Sequence, residues 1–175
     1  VAIPLSFTKT IVDNLPPVIS AKTNQNRNTD NAICGYAAIG TEFDVTVTDN
    51  CSTYSLNYKL NSGTPVVAST LSGTVFATGT TAVTWTASDG TNTSTRTFQV
   101  TVVDDDFPTI SEQANITANI NSGCGSVVNW TTPTAGDNCS GVVLAQILGP
   151  VSGSTFPVGT TAIQYRATDA AAHVT

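Results

Sequence analysis

Short stretches in which apolar and polar residues alternate recur along this 175-residue chain, and Gly, Asn and Pro separate them. A period of two residues is typical of a β-strand with one buried face, and the separating residues favour turns. Strong helix formers are scarce, and Met is absent. The pattern therefore predicts an all-β chain. The candidate strands of the first half are Pro17–Lys22, Glu42–Thr48, Tyr54–Leu60, Pro65–Leu71, Thr81–Ala87 and Thr95–Val103.

Two blocks of the sequence occur twice. Phe7–Ser20 (FTKTIVDNLPPVIS) recurs as Phe98–Ser111 (FQVTVVDDDFPTIS), and Leu71–Gly90 recurs as Val151–Ala170. An Asp-Asn-Cys motif also lies in each half of the chain. Each copy contains short alternating strands over about 80 to 100 residues, which is the size of a β-sandwich domain. The chain is therefore predicted to hold two copies of one module, the second with shorter middle loops.

The last block also predicts core and turn positions. Within the strand Thr81–Ala87, alternation places Trp85 on the inward face, and Tyr165 occupies the same position in the second copy. A buried aromatic side chain of this size contributes a few kcal/mol, so Trp85→Ala is expected to be among the costliest changes. Gly79 and Gly159 are expected to adopt a positive φ in their turns.

Charge and composition exclude several classes of partner. Six basic and twelve acidic residues give a formal net charge of -6 and a pI near 4.3, so the chain lacks the positive charge that nucleic acids and anionic lipids attract. No apolar run approaches the roughly 18 residues of a membrane span, and we predict no membrane insertion. Four Cys in a chain with 10% charged residues favour an oxidising, extracellular compartment, secreted or at a cell surface. The absence of Met favours a processed chain or an excised piece.

Three segments resemble the hyalin repeat, or HYR module. They are GDNCS (Gly136–Ser140), SGSTFPVGTTAIQYRATDAAAH (Ser152–His173) and VTVVDDDFP (Val100–Pro108). The resemblance covers nearly the whole chain, and the second copy is the closer match. It implies tandem immunoglobulin-like β-sandwich domains that serve as an extracellular adhesive or spacer module. The outer cysteine pair of the family is absent, with Glu112 and Thr97 near where it would fall.

The repeat pattern divides the chain into three parts. Residues 1–14 are predicted to form the last strand of a preceding repeat or a donor strand, residues 15–105 a first repeat, and residues 106–175 a second repeat without its last strand. Such a sandwich exposes an apolar groove and unpaired backbone groups. Two explanations stay open: the chain is a window of a longer tandem array, or the leading strand of one subunit completes the second repeat of an identical neighbour, head-to-tail. The predicted donor residues are Leu5, Phe7, Lys9, Ile11 and Asp13.

Each copy carries two cysteines at equivalent places. The bridges Cys34–Cys51 and Cys124–Cys139 would close loops of similar size, so the sequence favours one disulfide within each copy over pairing across copies. Closing a loop of about 15 residues contributes roughly 3 kcal/mol in the chain-entropy model. A zinc site is the alternative, but the chain has no CxxC motif and its single histidine, His173, lies elsewhere.

Acidic residues recur at three places of the repeat: the exit of the last strand, the Asp-Asn-Cys loop and the turn before the last strand. In the immunoglobulin-like topology that the resemblance implies, these places gather at one end of a domain. Clustered carboxylates repel one another unless a hard cation neutralises them, and Ca²⁺ takes roughly six to eight oxygen ligands. We therefore predict calcium at each junction, although Asp and Asn also make ordinary turns. The predicted ligands are Asp13, Asn14, Asp49 and Asp89 at the first junction, and Asp104, Asp105, Asp106, Asp137 and Asp169 at the second.

The function expected from these features is a non-enzymatic structural and adhesive repeat of a surface adhesin or filament. Its expected partners are neighbouring repeats or identical subunits, and an unknown surface or glycan ligand. His173 is the sole histidine that a Ser-His-Asp site could use, and its position on a turn argues against an enzyme. The alternative is a ligand- or carbohydrate-binding accessory module, with Trp130 as its candidate platform, although the neighbouring alternation favours an inward Trp130. Asn92 and Asn115 are the sequons best placed for glycosylation.

Overall fold

The computed structural model describes residues 4–51, 53–120 and 123–175, and residues 1–3 of the predicted leading segment lie outside that description. Within these ranges the chain forms β-strands and no helix, which confirms the all-β prediction. No helix in the described part of the chain is therefore long and apolar enough to cross a membrane. The strands are β1 (Val18–Ile19), β2 (Gln25–Asn28), β3 (Gly35–Ala37), β4 (Val47–Thr48), β5 (Ser55–Leu60), β6 (Val66–Val67), β7 (Val75–Ala77), β8 (Gly79–Ser88), β9 (Thr93–Val103), β10 (Thr109–Ile110), β11 (Gly125–Val127), β12 (Ala135–Gly136), β13 (Val143–Leu148), β14 (Thr155–Pro157) and β15 (Gln164–Thr168).

The chain folds into two compact units, each assembled from two stretches of sequence. Unit 1 contains the chain up to Arg27 together with Ala37–Thr101, and unit 2 contains Asn28–Tyr36 together with Val102–Thr175. Asn28–Tyr36, which we name the arm, belongs by sequence to the first repeat and folds with the second. The predicted division into residues 15–105 and 106–175 did not include a segment of the first repeat that folds with the second, and that division stays a prediction.

Unit 1 is built on a five-stranded sheet with the order β2-β9-β8-β5-β6, and β1 pairs with β4. The side chains of the central strand β8 alternate between buried and more exposed positions. Val83, Trp85 and Ala87 are fully buried, so the inward position predicted for Trp85 is confirmed. Burial of such apolar side chains is the main favourable term in folding. The other buried apolar residues of this unit are Ile19, Ala38, Phe43, Leu71, Phe76, Phe98 and Val100.

Unit 2 contains strand pairs that correspond to those of unit 1. β10 pairs with β12, β11 with β14, and β13 with β15. Val143 lies opposite Thr168 in the β13–β15 pair, just as Ser55 lies opposite Ser88 in the β5–β8 pair. The repeated sequence therefore forms repeated backbone pairings.

Several equivalent side chains are less buried in unit 2 than in unit 1, although Ala167 is as fully buried as Ala87. Leu71 is 1% exposed, whereas its counterpart Val151 is 65% exposed. Trp85 is fully buried, whereas Tyr165 is half-buried. In unit 1, β9 lies beside β8 and contributes buried side chains such as Phe98 to the core. Unit 2 has the equivalent of β8, which is β15, but the described residues contain no long strand beside it.

The predicted strands of the first repeat are present, but their lengths differ from the prediction. β1, β4 and β6 have only two residues each, while β8 and β9 begin earlier than predicted. β2, β3 and β7 were not predicted; β2 has the sequence QNRN, in which no apolar residue marks a buried face. Gly79, with φ of 102°, and Gly159, with φ of 124°, adopt the positive values that their turns predicted.

Candidate functional site

Three carboxylates of unit 1 meet at strand ends, and we name Asp13, Asp49 and Asp89 the first acidic cluster. Asp13 precedes β1, Asp49 follows β4 and Asp89 follows β8. One carboxylate oxygen of each residue lies within 4.8 Å of the others, and all three residues are half-buried. Three of the four residues predicted for the first calcium site thus come together, while the fourth, Asn14, is exposed.

Two oxygens of the first acidic cluster, Asp13 Oδ2 and Asp49 Oδ1, are buried and accept no hydrogen bond of good geometry, although the Cys51 thiol lies close enough to Asp13 to affect its pKa. The second oxygen of each residue is occupied. Asp13 Oδ1 accepts from the Leu15 N–H at 3.1 Å and the Asn50 amide at 3.2 Å. Asp49 Oδ2 accepts from the Cys51 N–H at 2.9 Å. A buried polar atom without a partner is unfavourable, so these two oxygens mark a place where a cation or a donor would be stabilised.

Asn92 positions the first acidic cluster through its side-chain nitrogen. This nitrogen donates to Asp89 Oδ2 at 3.0 Å and to the carbonyl oxygens of Asp13 and Leu15 at 3.4 and 3.5 Å. N-glycosylation attaches the sugar to the same nitrogen. These hydrogen bonds therefore conflict with the predicted sugar at Asn92, because a sugar would displace at least some of them. Asn115 is exposed, and its glycosylation stays a prediction.

Hydrogen bonds also shift the ionisation of this cluster. The Cys51 thiol, followed by the Leu15 N–H and the Asn50 amide, holds the pKa of Asp13 below its usual value. The same interaction, together with desolvation and the neighbouring carboxylates, raises the pKa of the Cys51 thiol. Hydrogen bonds from the backbone and side chain of Asn92, and from the N–H of Thr91, lower the pKa of Asp89. Asp13 and Asp89 thus stay ionised down to lower pH than free carboxylates, while the raised pKa keeps the Cys51 thiol protonated to higher pH than a free cysteine.

The residues predicted for the second calcium site divide into separate groups. Asp104, Asp137 and Cys139 have ligand atoms within 4.8 Å of one another, and we name them the second acidic cluster. Asp169 has a different partner: the N–H and ring Nδ1 of His173 lie 2.8 and 2.9 Å from its two oxygens. Asp169 is 7% exposed, and these bonds outweigh burial and lower its pKa.

The arm of unit 2 binds the acidic residues that follow β9. The Thr29 hydroxyl lies 3.3 Å from Asp106 Oδ2 and 3.5 Å from Asp104 Oδ1, and it donates toward them. Asp105 and Asp106 both accept hydrogen bonds from protein donors, Asp105 from Asn28 and Asp106 from Thr29. The sequence did not indicate these contacts, because the arm is distant from both residues along the chain. Asn138 also donates to Asp106 and to the Ile33 carbonyl.

The first acidic cluster fits a hard cation better than the second. It combines three carboxylates with two unpaired buried oxygens, and hard cations select oxygen ligands. The second combines two carboxylates with one unpaired oxygen, Asn138 Oδ1. Cys139 is disulfide-bonded, so it offers no thiolate, and donors from the arm already occupy part of the carboxylate surface.

The cysteine pairing differs from the prediction. Cys34, in the arm, is bonded to Cys139 with the two Cα atoms 4.6 Å apart, and Cys51 and Cys124 are exposed thiols. The predicted bridges Cys34–Cys51 and Cys124–Cys139 are therefore wrong. The prediction compared loop lengths and assumed that each copy keeps its own cysteines, whereas the arm places Cys34 in unit 2.

The predicted donor segment forms no strand within residues 4–16. Its large apolar side chains are exposed, with Leu5 at 93%, Phe7 at 86% and Ile11 at 90%. Lys9 is exposed as well. The segment therefore presents apolar side chains that are buried in neither unit.

Trp130 is not an exposed aromatic platform. It is half-buried, and its indole N–H donates to the Tyr165 hydroxyl at 2.9 Å. Its ring also meets the Phe156 ring edge-on, with the centroids 5.9 Å apart. These contacts agree with the inward position that the sequence favoured. Trp130 therefore does not provide the exposed aromatic platform that the carbohydrate-binding alternative needs.

Comparison with known proteins identifies relatives of this chain. Residues 103–174 match the family model described as HYR domain. The chain is 31% identical to Hyalin of Strongylocentrotus purpuratus over 171 residues, which is 94% of this chain and 13% of Hyalin. The chain thus spans a small part of the length of that relative.

The solved structures matched to this chain include protocadherin domains. Human protocadherin-24 EC1-2 (crystal form II) is 21% identical with a TM-score of 0.39, and the match covers 89% of this chain and 88% of that one. Protocadherin gamma B2 extracellular cadherin domains 1-5 are 16% identical with a TM-score of 0.38, covering 88% and 36%. Such low TM-scores carry no argument about this chain. The match at residues 103–174 and the identity with Hyalin bear out the resemblance in the sequence, and residues 103–174 belong to the HYR-domain family.

Proposed function

We propose that this chain is a non-enzymatic structural and adhesive repeat segment of an extracellular adhesin or filament. Its two repeats are tandem immunoglobulin-like sandwiches that join neighbouring repeats or identical subunits head-to-tail. The leading segment supplies the strand that completes a neighbouring unit 2. Membership of residues 103–174 in the HYR-domain family supports an extracellular repeat. One observation supports the head-to-tail joining: a repeated sequence segment is buried in β9 but exposed near the start of the chain.

The same sequence pattern is buried in β9 and exposed in the leading segment. Phe98 and Val102 of β9 are 3% and 2% exposed, whereas their counterparts Phe7 and Ile11 are 86% and 90% exposed. Full burial of such a side chain contributes about 1.5–3 kcal/mol. Burial of Phe7 and Ile11 in a neighbouring unit would thus contribute about 3–6 kcal/mol. Lys9 takes the place of the buried Val100, and its aliphatic stem can cover apolar surface while the ammonium reaches water.

Unit 2 offers the acceptor for this strand. β15 pairs with β13 along its length, and on its other edge the described residues pair it only at its end, where Ala167 exchanges hydrogen bonds of 2.9 and 3.1 Å with Thr175. In unit 1 the equivalent edge of β8 is covered by β9. In unit 2, Val151 is exposed and Tyr165 is half-buried, and a strand in the place that β9 has in unit 1 would help to cover both side chains. Strand addition at this edge would pair the backbone and bury those side chains together.

Sedimentation of the purified chain under reducing conditions tests the strand addition. We expect oligomers that grow with concentration, and monomers for the double variant Phe7→Asp/Ile11→Asp. Thr8→Asp is the matched control, because its counterpart Gln99 is exposed in β9 and an Asp there faces solvent. Wild-type chain that stays monomeric at every concentration, or oligomers that survive the double variant, would refute addition between copies.

The mass of the native polypeptide separates the two explanations that the sequence left open. A mass near 18.0 kDa supports donation between subunits. A much larger mass identifies the leading segment as the last strand of a preceding repeat in the same chain. A much larger mass would also make donation between separate subunits wrong. A synthetic peptide with the sequence of residues 5–13 should still bind unit 2 in that case.

The proposal also places calcium at the first acidic cluster, where it would screen three carboxylates and stiffen the junction. The unpaired oxygens of Asp13 and Asp49 support this site. Calcium titration followed by thermal unfolding should raise the melting temperature of the wild type, and Asp49→Asn should abolish that shift. Glu112→Gln, which removes an exposed carboxylate outside both clusters, should leave it unchanged. Equal shifts in all three proteins would exclude this site.

A further inference from the structure

The two free thiols have complementary places in the repeat. We infer that Cys124 of one copy forms a disulfide with Cys51 of the next copy, so that the head-to-tail junction is covalent. The inference rests on the proposed head-to-tail function and extends it by naming the bond that closes the junction.

The bridge already present in unit 2 is the template. Cys124 has the place of Cys34: each immediately precedes a glycine that opens a short strand, β11 and β3, and these strands pair with β14 and β7. Cys51 has the place of Cys139, because each ends an Asp-Asn-Cys motif and its N–H donates to the Asp two residues earlier, at 2.9 and 3.1 Å. The template bond joins the first kind of cysteine to the second, with one partner from each sequence repeat.

The surroundings of Cys51 lack the arm that surrounds its counterpart. In unit 2 the arm provides the Thr29 hydroxyl to Asp104 and the Ile33 carbonyl to Asn138. In unit 1 the counterpart of Asp104, which is Asp13, keeps one buried oxygen without a partner. The Asn50 amide, counterpart of that of Asn138, donates to Asp13 Oδ1 at 3.2 Å and lies 3.3 Å from the Cys51 sulfur. Among the described residues, therefore, no arm lies beside Cys51, and its thiol is exposed to a cysteine of another copy.

The direction of this bond agrees with strand addition. The bond joins unit 2 of one copy to unit 1 of the next, and the leading segment of that next copy is the strand proposed to complete the same unit 2. Both links therefore have one polarity, and a head-to-tail contact of this kind continues from copy to copy. Strand addition also raises the effective concentration of the two thiols for each other.

Formation of the bond is a two-electron oxidation that needs a disulfide as oxidant, and an oxidising compartment supplies one. The thiolate of one cysteine attacks the oxidant, forms a mixed disulfide and releases one small thiolate. The second protein thiolate then attacks the protein sulfur of the mixed disulfide and releases the other. The two protons lost by the cysteines are taken up by the two released thiolates, so one small disulfide becomes two thiols.

Paired single variants of the full chain test the inference. Cys51→Ser and Cys124→Ser are prepared separately and then mixed in a buffer of oxidised and reduced glutathione, with non-reducing electrophoresis and peptide mass mapping as readouts. The wild type should give a ladder of covalent oligomers that a reducing agent removes. Each variant alone should lose the ladder, and the mixture should give a heterodimer linked through Cys51 of one variant and Cys124 of the other.

Two results would overturn the inference. One is that both thiols stay open to alkylation after the Cys34–Cys139 bond has formed. The other is that Cys51–Cys51 and Cys124–Cys124 pairs form as often as random collision predicts. Sedimentation in reducing buffer separates this failure from failure of the proposed function: reversible oligomers without the mixed disulfide refute only the covalent bond, whereas monomers in reducing buffer refute strand addition.

Discussion

Removal of the Trp85 side chain should unfold unit 1 far more readily than the equivalent change affects unit 2. Trp85 is 0% exposed, its indole N–H donates to the Phe43 carbonyl at 3.2 Å, and its ring meets Tyr58 edge-on at 5.4 Å. Trp→Ala in a packed core costs about 3–5 kcal/mol. The loss also leaves the buried Phe43 carbonyl without this donor, at about 1 kcal/mol. We therefore expect Trp85→Ala to destabilise unit 1 by about 4–6 kcal/mol.

Tyr165→Ala provides the matched comparison at the equivalent place in unit 2. Tyr165 is half-buried and shares its hydroxyl with Trp130 and Gln146. Because folding removes less apolar area from water at Tyr165 than at Trp85, we expect Tyr165→Ala to lower the free energy of unfolding by only about 1–2 kcal/mol. Trp85→Phe keeps most of the apolar volume and loses the hydrogen bond, so it should lie between the wild type and Trp85→Ala.

Urea unfolding followed by circular dichroism in the β-sheet region measures these differences without relying on tryptophan fluorescence. The Trp85 variants should shift one transition, and the Tyr165 variant another, if the two units unfold separately. A loss below about 1 kcal/mol for Trp85→Ala, or an equal loss for Tyr165→Ala, would refute the argument that the two equivalent aromatics differ in burial.

Two further changes test local features. Gly149→Ala should markedly lower the melting temperature of unit 2, because an added Cβ would collide with the Ile163 side chain and lie 2.6 Å from the Ala162 carbonyl oxygen, at a φ of +87°. Gly123→Ala, also at positive φ but with open space around its Cβ, is the control, and equal melting temperatures would contradict the steric argument. Asp169 has a pKa below its usual value of 3.8 because hydrogen bonds from His173 outweigh burial, so its stabilisation is present above that pH and is lost as pH falls toward the lowered value. Asp169→Asn should therefore reduce the loss of melting temperature on acidification, and an unchanged acid profile would exclude this contribution.

The local pattern of the sequence determined the β-strands, the repeat and the inward position of Trp85. These features depend on neighbours along the chain: alternation with a period of two defines one buried face, and a turn glycine such as Gly79 needs only its own φ. The meeting of Asp13, Asp49 and Asp89 was predicted from the immunoglobulin-like topology that the resemblance to the hyalin repeat implies, because that topology gathers these strand connections at one end of a domain. The short polar strand β2 gave no such signal and was missed.

Only the tertiary structure decided the partners of the cysteines and of Asp169. Cys34 pairs with Cys139 because the arm leaves its own repeat, and no property of residues 28–36 alone reveals that path. Asp169 binds His173 instead of joining the second acidic cluster, since a turn brings the imidazole within hydrogen-bond distance of its carboxylate. Local periodicity specifies which face of a strand is buried. It encodes neither the route of the whole chain, which brings Cys34 to Cys139 across a separation of 105 residues, nor the turn that brings His173 to Asp169.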